Sequence, residues 1–437
     1  MSPERPWLVH YAPGVPADID VPAGSAVDLL ESAAQQYPDR VALDFLGAET
    51  TYSDLRRDVL RAAGALRDLG VGHGDRVALV LPNCPSHVVA FYAVLRLGAI
   101  VVEHNPLYTA DELGRQLTDH SPAVVIAWDV IAPTAASAVP PGTPVVAVDL
   151  SKDLSMGKRI ALRLPVRKAR AARASTTVKA PGLPTWHRLV NRAAPLPETT
   201  PGPGGDDVAL LQYTGGTTGV PKGAILTHRN LLANATQSAA WAPDLKPGAE
   251  VFYAILPLFH AYGLTLCLTT AVLLGATVVL FPRFDADQVV DTMRRRPATF
   301  LPGVPPMYPR LVESAAARGV ALTSVRYALA GAMALPPQTV EQWEAAGGGL
   351  LVEGYGMTES SPIALGNPLA PSRRPESIGV PFPSTDIRVV DADDPAVDAA
   401  PGDPGELLVH GPQVFSGYWN RPEETAATLL PGGWLRT

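Results

Sequence analysis

Cysteine is scarce in this chain, with only Cys84 and Cys267 among 437 residues. The two lie far apart and outside any cluster of metal-type ligands, so the sequence offers no disulfide framework and fits a reducing cytoplasm. The amino terminus also lacks the apolar run of a secretory signal. We therefore predict a cytoplasmic protein.

Positive charge is in the minority. The 35 lysines and arginines are outnumbered by 42 aspartates and glutamates, and the formal net charge is −7, which argues against a nucleic-acid partner. Apolar residues make up 47% of the chain, enough for a large core, and the length exceeds one ordinary domain. These values indicate a large soluble enzyme.

One run without charge, from Leu264 to Phe281, is long enough to consider as a membrane span. Four threonines dilute it, and Gly275 divides it into a helix-length piece and the β-branched run Thr277–Phe281. Such a break is typical of a buried helix followed by a buried parallel strand. We therefore predict that this segment does not cross a membrane.

Apolar β-rich runs alternate with helical stretches, which indicates an α/β fold. Val77–Leu81 predicts a strand, His87–Leu97 a helix that ends at Gly98, and Ile100–Val102 the next strand. Further strands are predicted at Val124–Ala127 and Val145–Val148. The first three elements form one βαβ unit of a parallel sheet.

A glycine-rich stretch, Tyr213–Gly223, lies between two apolar runs. Glycine permits positive φ and a close approach of backbone N–H groups to an anion, threonine hydroxyls add neutral donors, and Lys222 adds a charge. The flanking runs Val208–Leu211 and Ala224–Leu226 predict strands, and Thr227 predicts the cap of a following helix. The stretch is interpreted as a phosphate loop.

Two common phosphate-loop patterns do not fit this stretch. A P-loop NTPase needs Gly-Lys-Ser/Thr, but Lys222 follows Pro221 and precedes Gly223. The dinucleotide pattern needs glycines at the first, third and sixth places, but Gly215 and Gly216 are adjacent. A plain flexible turn rarely needs three threonines and a lysine among its glycines. A phosphate loop of another class is therefore expected.

As a whole the loop resembles the signature of the adenylate-forming superfamily, which includes acyl-CoA synthetases, non-ribosomal adenylation domains and luciferases. Gly216 stands where many members have serine, and the glycine form is familiar among long-chain fatty acyl-CoA synthetases. Leu81-Pro82-Asn83 also resembles a family stretch and is interpreted as a fold determinant. Four more stretches resemble family motifs: Leu256–Gly263, Leu301–Tyr308, Ala330–Leu335, where Ala330 replaces the usual first glycine, and Glu353–Ser360.

The resemblance implies roles for individual residues. Those implied to bind the nucleotide are Thr214, Gly215, Gly216, Thr217, Thr218, Gly219, Lys222, Gly331, Ala332, Gly354, Tyr355, Gly356 and Thr358. Those implied to border the acyl group are His260, Gly303, Val304 and Gly331. The implied catalytic set is Thr214, Lys222, His260, Thr358 and Glu359, and Glu359 is also the implied magnesium ligand. Two alternatives stay open, a packed structural role for His260 and a plain proline-rich turn at Leu301–Tyr308.

These residue types suit the implied chemistry. ATP brings several negative charges to a negative carboxylate, so attack at the α-phosphorus needs cations and aimed donors. Magnesium takes hard oxygen ligands and usually only one or two protein carboxylates, so Glu359 alone suffices. Tyr355 offers adenine a stacking face at little entropic cost.

The resemblance also implies the domain organisation. Residues 1–375 are expected to form two doubly wound α/β subdomains, with a basic insertion at about 151–180, and residues 376–437 a smaller distorted β-barrel subdomain. The chain ends where relatives continue with a ribose-binding aspartate, a hinge and a mobile lid domain that carries a lysine for adenylation. We therefore expect the lid domain to be absent and these 437 residues to ligate slowly or not at all.

The insertion is basic although the chain is acidic. Between Lys152 and Lys179, nine lysines and arginines face one acid, Asp153, with apolar residues interspersed. Such a segment can hold a protein loosely at an anionic bilayer, at about 1 kcal/mol per basic residue. Pro165 limits any continuous helix, and a solvated loop is the alternative.

The sequence thus predicts an ATP-dependent, AMP-forming acid-thiol ligase, most similar to bacterial long-chain fatty acid CoA ligases. Its expected partners are a fatty acid, ATP and CoA, with Mg2+ as cofactor and peripheral contact with the inner face of the membrane as a further expectation. Three alternatives remain: a fatty acyl-AMP ligase that delivers to a carrier protein, an aryl or amino acid adenylation enzyme, and a non-catalytic nucleotide or acyl-adenylate binder.

Overall fold

The computed structural model describes residues 5–174, 176–178, 180–214 and 221–437. Its strands are β1 Val41–Phe45, β2 Ala48–Thr51, β3 Arg76–Val80, β4 Ile100–Glu103, β5 Val124–Trp128, β6 Val145–Val148, β7 Val208–Thr214, β8 Lys222–Thr227, β9 Val251–Ala254, β10 Thr277–Leu280, β11 Phe300–Gly303, β12 Tyr327–Ala330, β13 Leu350–Gly356, β14 Ile363–Gly366, β15 Val380–Pro381, β16 Asp386–Val390, β17 Glu406–His410, β18 Leu429–Leu430 and β19 Trp434–Arg436.

The α-helices are α1 Val27–Gln36, α2 Tyr52–Asp68, α3 Pro85–Arg96, α4 Ala110–His120, α5 Ala132–Ala138, α6 Met156–Ala161, α7 Arg167–Ala174, α8 Trp186–Arg192, α9 His228–Trp241, α10 Ala261–Gly263, α11 Thr270–Leu273, α12 Ala286–Met293, α13 Met307–Arg318, α14 Pro337–Ala345 and α15 Pro422–Thr428. A π-helical segment, Leu264–Thr269, joins α10 to α11. Short 3-10 helices cover Pro6–His10, Leu150–Asp153 and Thr358–Ser360.

The first sheet has six strands in the order β6-β5-β3-β4-β7-β8. β8 runs antiparallel to β7, and the other neighbouring strands pair in parallel. β3 to β6 are apolar runs buried along nearly their whole length, the pattern of a parallel sheet covered on both faces. The predicted βαβ unit is confirmed, with α3 as its crossover.

The second sheet has nine strands in the order β15-β14-β13-β12-β11-β9-β10-β1-β2. Its centre is parallel, and β2, β14 and β15 add antiparallel edges. The charge-free run supplies the π-helical segment Leu264–Thr269, then α11 and β10, and Gly275 between α11 and β10 adopts φ of +58°. The predicted helix and strand are confirmed, and no helix among the described residues is long and apolar enough to span a membrane.

The third sheet is small and antiparallel, in the order β16-β17-β19-β18. The α/β class and the β-rich carboxyl end are confirmed, but this sheet is open in the described residues, because β16 and the two-residue β18 are its unpaired edges. The predicted boundary at residue 375 stays a prediction. Val380–Pro381, beyond that boundary, still pairs with the nine-stranded sheet.

Asn83, just after β3, joins the first two sheets. Its Nδ2 donates to the carbonyls of Ala254 and Leu256 at 2.9 and 2.7 Å. Its Oδ1 accepts the N–H of Leu258 at 2.8 Å. The side chain therefore fixes the segment that leads from β9 to His260, which agrees with the interpretation of this stretch as a fold determinant.

Three buried histidines make the fold sensitive to acid. His104 and His120 share a contact of 3.1 Å between their Nε2 atoms, and His228 Nδ1 accepts the N–H of Ala26. Burial lowers the pKa of His104 and of His228 to about 4, and it lowers the pKa of His120 well below its ordinary value. These rings are therefore neutral in the folded protein at pH 7.

The free energy of unfolding is expected to fall as the pH is lowered from about 6.5 to about 4. In that window the histidines bind protons in the unfolded chain but not in the folded protein. The free energy of unfolding therefore rises with pH, by about 1.4 kcal/mol per pH unit for each proton that only the unfolded chain binds. Asp129 has the opposite effect, because burial raises its pKa to about 6 and the folded protein then binds a proton that the unfolded chain does not. Urea unfolding at pH 5 and pH 7 measures how the free energy of unfolding changes with pH. In His228→Gln this change should be smaller by the contribution of one proton. An equal change in the variant and the wild type would contradict the lowered pKa of His228.

Candidate active site

The strands β7 and β8 flank the predicted phosphate loop. Thr214 and Lys222 face each other as paired residues of this antiparallel hairpin. Thr227 caps α9 as predicted, because its Oγ1 accepts the N–H of Asn230 and Asn230 Oδ1 accepts the N–H of Thr227. The predicted loop residues themselves, Gly215, Gly216, Thr217, Thr218 and Gly219, lie outside the described residues.

A cavity opens at the carboxyl ends of β12 and β13, beside the start of α10. It is lined by His260, Tyr262, Leu329, Gly331, Ala332, Gly354, Tyr355, Gly356, Met357, Thr358, Pro362 and Ile363. Residues from three separate sequence motifs meet there, because parallel strands bring their carboxyl ends to one edge of a sheet. The structure thus brings together the predicted residues at 260, 331, 332, 354, 355, 356 and 358.

Two glycines keep the cavity walls close. A Cβ atom at Gly331 would lie 3.2 Å from the ring of Tyr262, whose hydroxyl donates to the Leu329 carbonyl at 2.7 Å. A Cβ atom at Gly356 would lie 1.9 Å from the carbonyl oxygen of Pro362, a distance that no side chain can occupy. The glycines of these motifs are therefore also required by packing.

His260 lines the cavity and is exposed. Its Nδ1 accepts the N–H of Tyr262 at 3.3 Å, so the ring caps the start of α10. The protein around the ring removes water from it and lowers the pKa of His260. At neutral pH the ring is therefore uncharged, with its proton on Nε2, and can donate one hydrogen bond.

Glu359 is buried in the 3-10 helix Thr358–Ser360, with 5% of its surface exposed. Its Oε1 accepts the hydroxyl of Tyr418 at 2.5 Å, and its backbone carbonyl accepts the N–H of Phe415 at 2.8 Å. Within the described part of the chain, no donor binds its Oε2 and no group of three or more histidine, cysteine or acidic side chains is gathered for a metal. A single carboxylate suits magnesium, which takes most of its other ligands from phosphate and water.

The segment from Phe415 to Trp419 runs along β8 and was not expected at the site. Ile225 N–H donates to the Gly417 carbonyl at 2.9 Å, and Trp419 N–H donates to the Gly223 carbonyl at 2.8 Å. Tyr418 thereby reaches both Glu359 and Lys222, whose Nζ lies 4.5 Å from the centre of the tyrosine ring. The aromatic residues of this segment are evident in the sequence, but no neighbouring residue indicated that Tyr418 would contact Glu359 and Lys222.

Gly303 and Val304 do not line the cavity. Gly303 lies one strand away, on β11, where its carbonyl accepts the N–H of Gly331 and the Tyr308 hydroxyl lies beside it. Val304 packs against the main core. Their assignment to an acyl pocket stays a prediction.

The three-sheet α/β fold and the cavity lined by Tyr355, Gly356, Met357 and Thr358, with Glu359 directly after them, indicate the class of enzymes that bind AMP. A family model described as AMP-binding enzyme matches residues 30–419. The chain belongs to the AMP-binding enzyme family.

Individual relatives agree with this membership. A long-chain-fatty-acid–CoA ligase of Bacillus subtilis (strain 168) is 38% identical over 443 residues, covering 100% of this chain and 78% of the relative. A 4-coumarate–CoA ligase 2 of Oryza sativa subsp. japonica is 32% identical, covering 96% of this chain and 73% of the relative. In fold the chain is similar to the anthranilate CoA ligase AuaEII in complex with anthranoyl-AMP, with a TM-score of 0.80 at 24% identity over 96% of this chain and 74% of that one.

Proposed function

We propose that the chain carries the nucleotide site of an ATP-dependent long-chain fatty acid CoA ligase. In the first step a carboxylate oxygen of the fatty acid attacks the α-phosphorus of ATP, and the bond to pyrophosphate breaks to give acyl-AMP. In the second step the CoA thiol loses its proton, attacks the acyl carbonyl and displaces AMP. The observation that carries this proposal is the cavity that joins His260 to Gly331, Tyr355 and Thr358 beside the phosphate-loop hairpin.

Each described residue has a role that its chemistry supports. Lys222 and Thr214, at the two ends of the loop, contact the phosphates, and Tyr355 stacks against adenine. The Nε2–H of His260 orients the fatty carboxylate and does not exchange its proton, because the ring is neutral and its other nitrogen is engaged. Glu359 holds magnesium, which when bound neutralises charge on the phosphates.

A screen of carboxylates tests the substrate class. Pyrophosphate release by the full-length protein is measured with palmitate, octanoate and 4-coumarate, each with and without CoA. Fastest release with palmitate, together with palmitoyl-CoA as product, is the expected result. Faster turnover of 4-coumarate contradicts the fatty acid assignment, palmitoyl-AMP that does not react with CoA favours an acyl-AMP ligase, and ATP binding without pyrophosphate release favours a non-catalytic binder.

We also propose that the protein is cytoplasmic and that the basic insertion docks on an anionic bilayer. Exposed apolar side chains there are Met156, Ile160, Leu164 and Val166, with exposures of 65%, 56%, 50% and 52%. They lie among lysines and arginines on α6, α7 and the turn between them. Basic residues beside exposed apolar ones are the combination that binds an interface.

Removing three of these charges should weaken vesicle binding. The variant Lys158→Gln, Arg159→Gln, Arg163→Gln is expected to bind phosphatidylglycerol vesicles about 100-fold more weakly, at about 1 kcal/mol for each charge. The matched control replaces the exposed Arg57, Arg61 and Arg67 of α2 by glutamine and should leave binding unchanged. Equal losses in the two variants, measured by vesicle co-sedimentation, would show that net charge and not the insertion is responsible.

A further inference from the structure

Tyr418 contacts two residues of the proposed site with two different parts of its side chain. Its hydroxyl donates to Glu359 Oε1 at 2.5 Å. The face of its ring lies under the ammonium group of Lys222, whose Nζ is 4.5 Å from the ring centre. The proposed magnesium ligand and the lysine at the end of the phosphate loop are therefore held by one side chain.

The side chain is well placed to hold them because it has little freedom of its own. Tyr418 is 6% exposed, and its N–H donates to Thr425 Oγ1 at 2.8 Å. Phe415 packs edge-on against the ring, with centroids 4.9 Å apart, and the residues on both sides of Tyr418 are hydrogen-bonded to β8. Groups that contact a ligand need such a rigid support to keep their geometry.

Each contact with Tyr418 leaves its partner able to bind a ligand: Glu359 keeps one free carboxylate oxygen, and Lys222 keeps its N–H donors. The phenol hydroxyl of Tyr418 donates to one carboxylate oxygen of Glu359. It occupies one oxygen of the carboxylate and leaves Oε2 for a cation. The ring attracts the ammonium group of Lys222 through its negative face and accepts no hydrogen bond from it, so the N–H donors of the lysine stay available to phosphate.

We propose that Tyr418 is a positioning residue that holds Glu359 for the metal and Lys222 for the phosphates. The inference rests on the proposed function. It adds a residue to which the sequence assigned no role at the site. It also divides the effect of that residue into a hydroxyl part, which acts on the metal through Glu359, and a ring part, which acts on the phosphates through Lys222.

Two variants separate these parts, and calorimetry of ATP binding without fatty acid or CoA measures them. Tyr418→Phe removes only the hydroxyl, and we expect the Mg2+ concentration needed for half-maximal enhancement of ATP binding to rise about 10-fold, as for other residues that orient a metal ligand. ATP affinity in EDTA should stay within about 2-fold of the wild type. Tyr418→Leu removes the ring as well and should also weaken ATP binding in EDTA several-fold, since the cation loses its aromatic partner.

The matched control is Tyr11→Phe, which removes a phenol hydroxyl that donates to the Pro381 carbonyl at 2.7 Å, away from the site. It should leave both titrations unchanged. If Tyr418→Phe weakens ATP binding equally with and without Mg2+, or changes neither, the positioning role is wrong. If the wild-type protein binds no ATP under either condition, the proposed function itself fails.

Discussion

Replacing Glu359 by glutamine is expected to lower the rate of acyl-adenylate formation by about 10²- to 10³-fold, the usual cost of losing one preorganised charge from a transition state. The amide oxygen is neutral and a poorer ligand for a hard divalent cation than a carboxylate. The hydrogen bond from Tyr418 can persist, because the neutral Oε1 of glutamine is also an acceptor. Activity should therefore fall while the fold is kept, and ATP–pyrophosphate exchange measures the activity.

A matched control exists on β13, the strand that precedes the 3-10 helix of Glu359. Glu353 on β13 is also a buried glutamate, with 9% exposure, and its Oε2 accepts the N–H of Leu335 at 3.2 Å. It lines a different cavity, with Leu335, Asn367 and Arg373, whereas Glu359 is joined through Tyr418 to Lys222. Glu353→Gln can keep this hydrogen bond and should retain exchange activity. Comparable losses in the two variants, or an exchange rate for Glu359→Gln within about 3-fold of the wild type, would contradict the assignment of Glu359 to the metal.

Local sequence was sufficient to predict those helices, strands and caps that are determined by residues within one short segment. β3 and α3 were predicted from an apolar run and a helical stretch that ends at a glycine, and Gly98 indeed adopts φ of +67°. The cap of α9 was predicted from Thr227 alone, and its partner in the structure, Asn230, is only three residues away. In these cases the chemistry that fixes the structure is contained in the segment itself.

The candidate site was predictable only in part, because its residues come from distant segments. The family resemblance named His260, Gly331, Tyr355 and Thr358, and the structure brings them to one cavity. The partner of Glu359 was missed, since Tyr418 lies 59 residues further along the chain. No periodicity or motif spacing reports a hydrogen bond between segments so far apart, so that contact became visible only in three dimensions.

The sequence indicated Asn83 as a fold determinant but could not indicate which residues it binds, because its partners also lie in a distant segment. The atoms that its amide binds lie between 171 and 175 residues away. Asn83→Ala is expected to lower the free energy of unfolding by about 2 kcal/mol or more, because it leaves the Leu256 carbonyl and the Leu258 N–H without the partner that Asn83 provides, each at a cost of about 1 to 3 kcal/mol, while the Ala254 carbonyl keeps the N–H of Phe281. Urea unfolding measures the loss.

Two further variants distinguish lost hydrogen bonds from lost volume at this position. Asn105→Ala removes the same side chain from an exposed loop, where its Oδ1 accepts only the N–H of Leu107, and should cost less than about 1 kcal/mol. Asn83→Asp keeps the shape and the acceptor for Leu258, but it turns an acceptor towards the carbonyls of Ala254 and Leu256. It should therefore destabilise at least as much as alanine does. A stable Asn83→Asp protein would mean that Asn83 fills space, and the segment leading to His260 would then be held by packing alone.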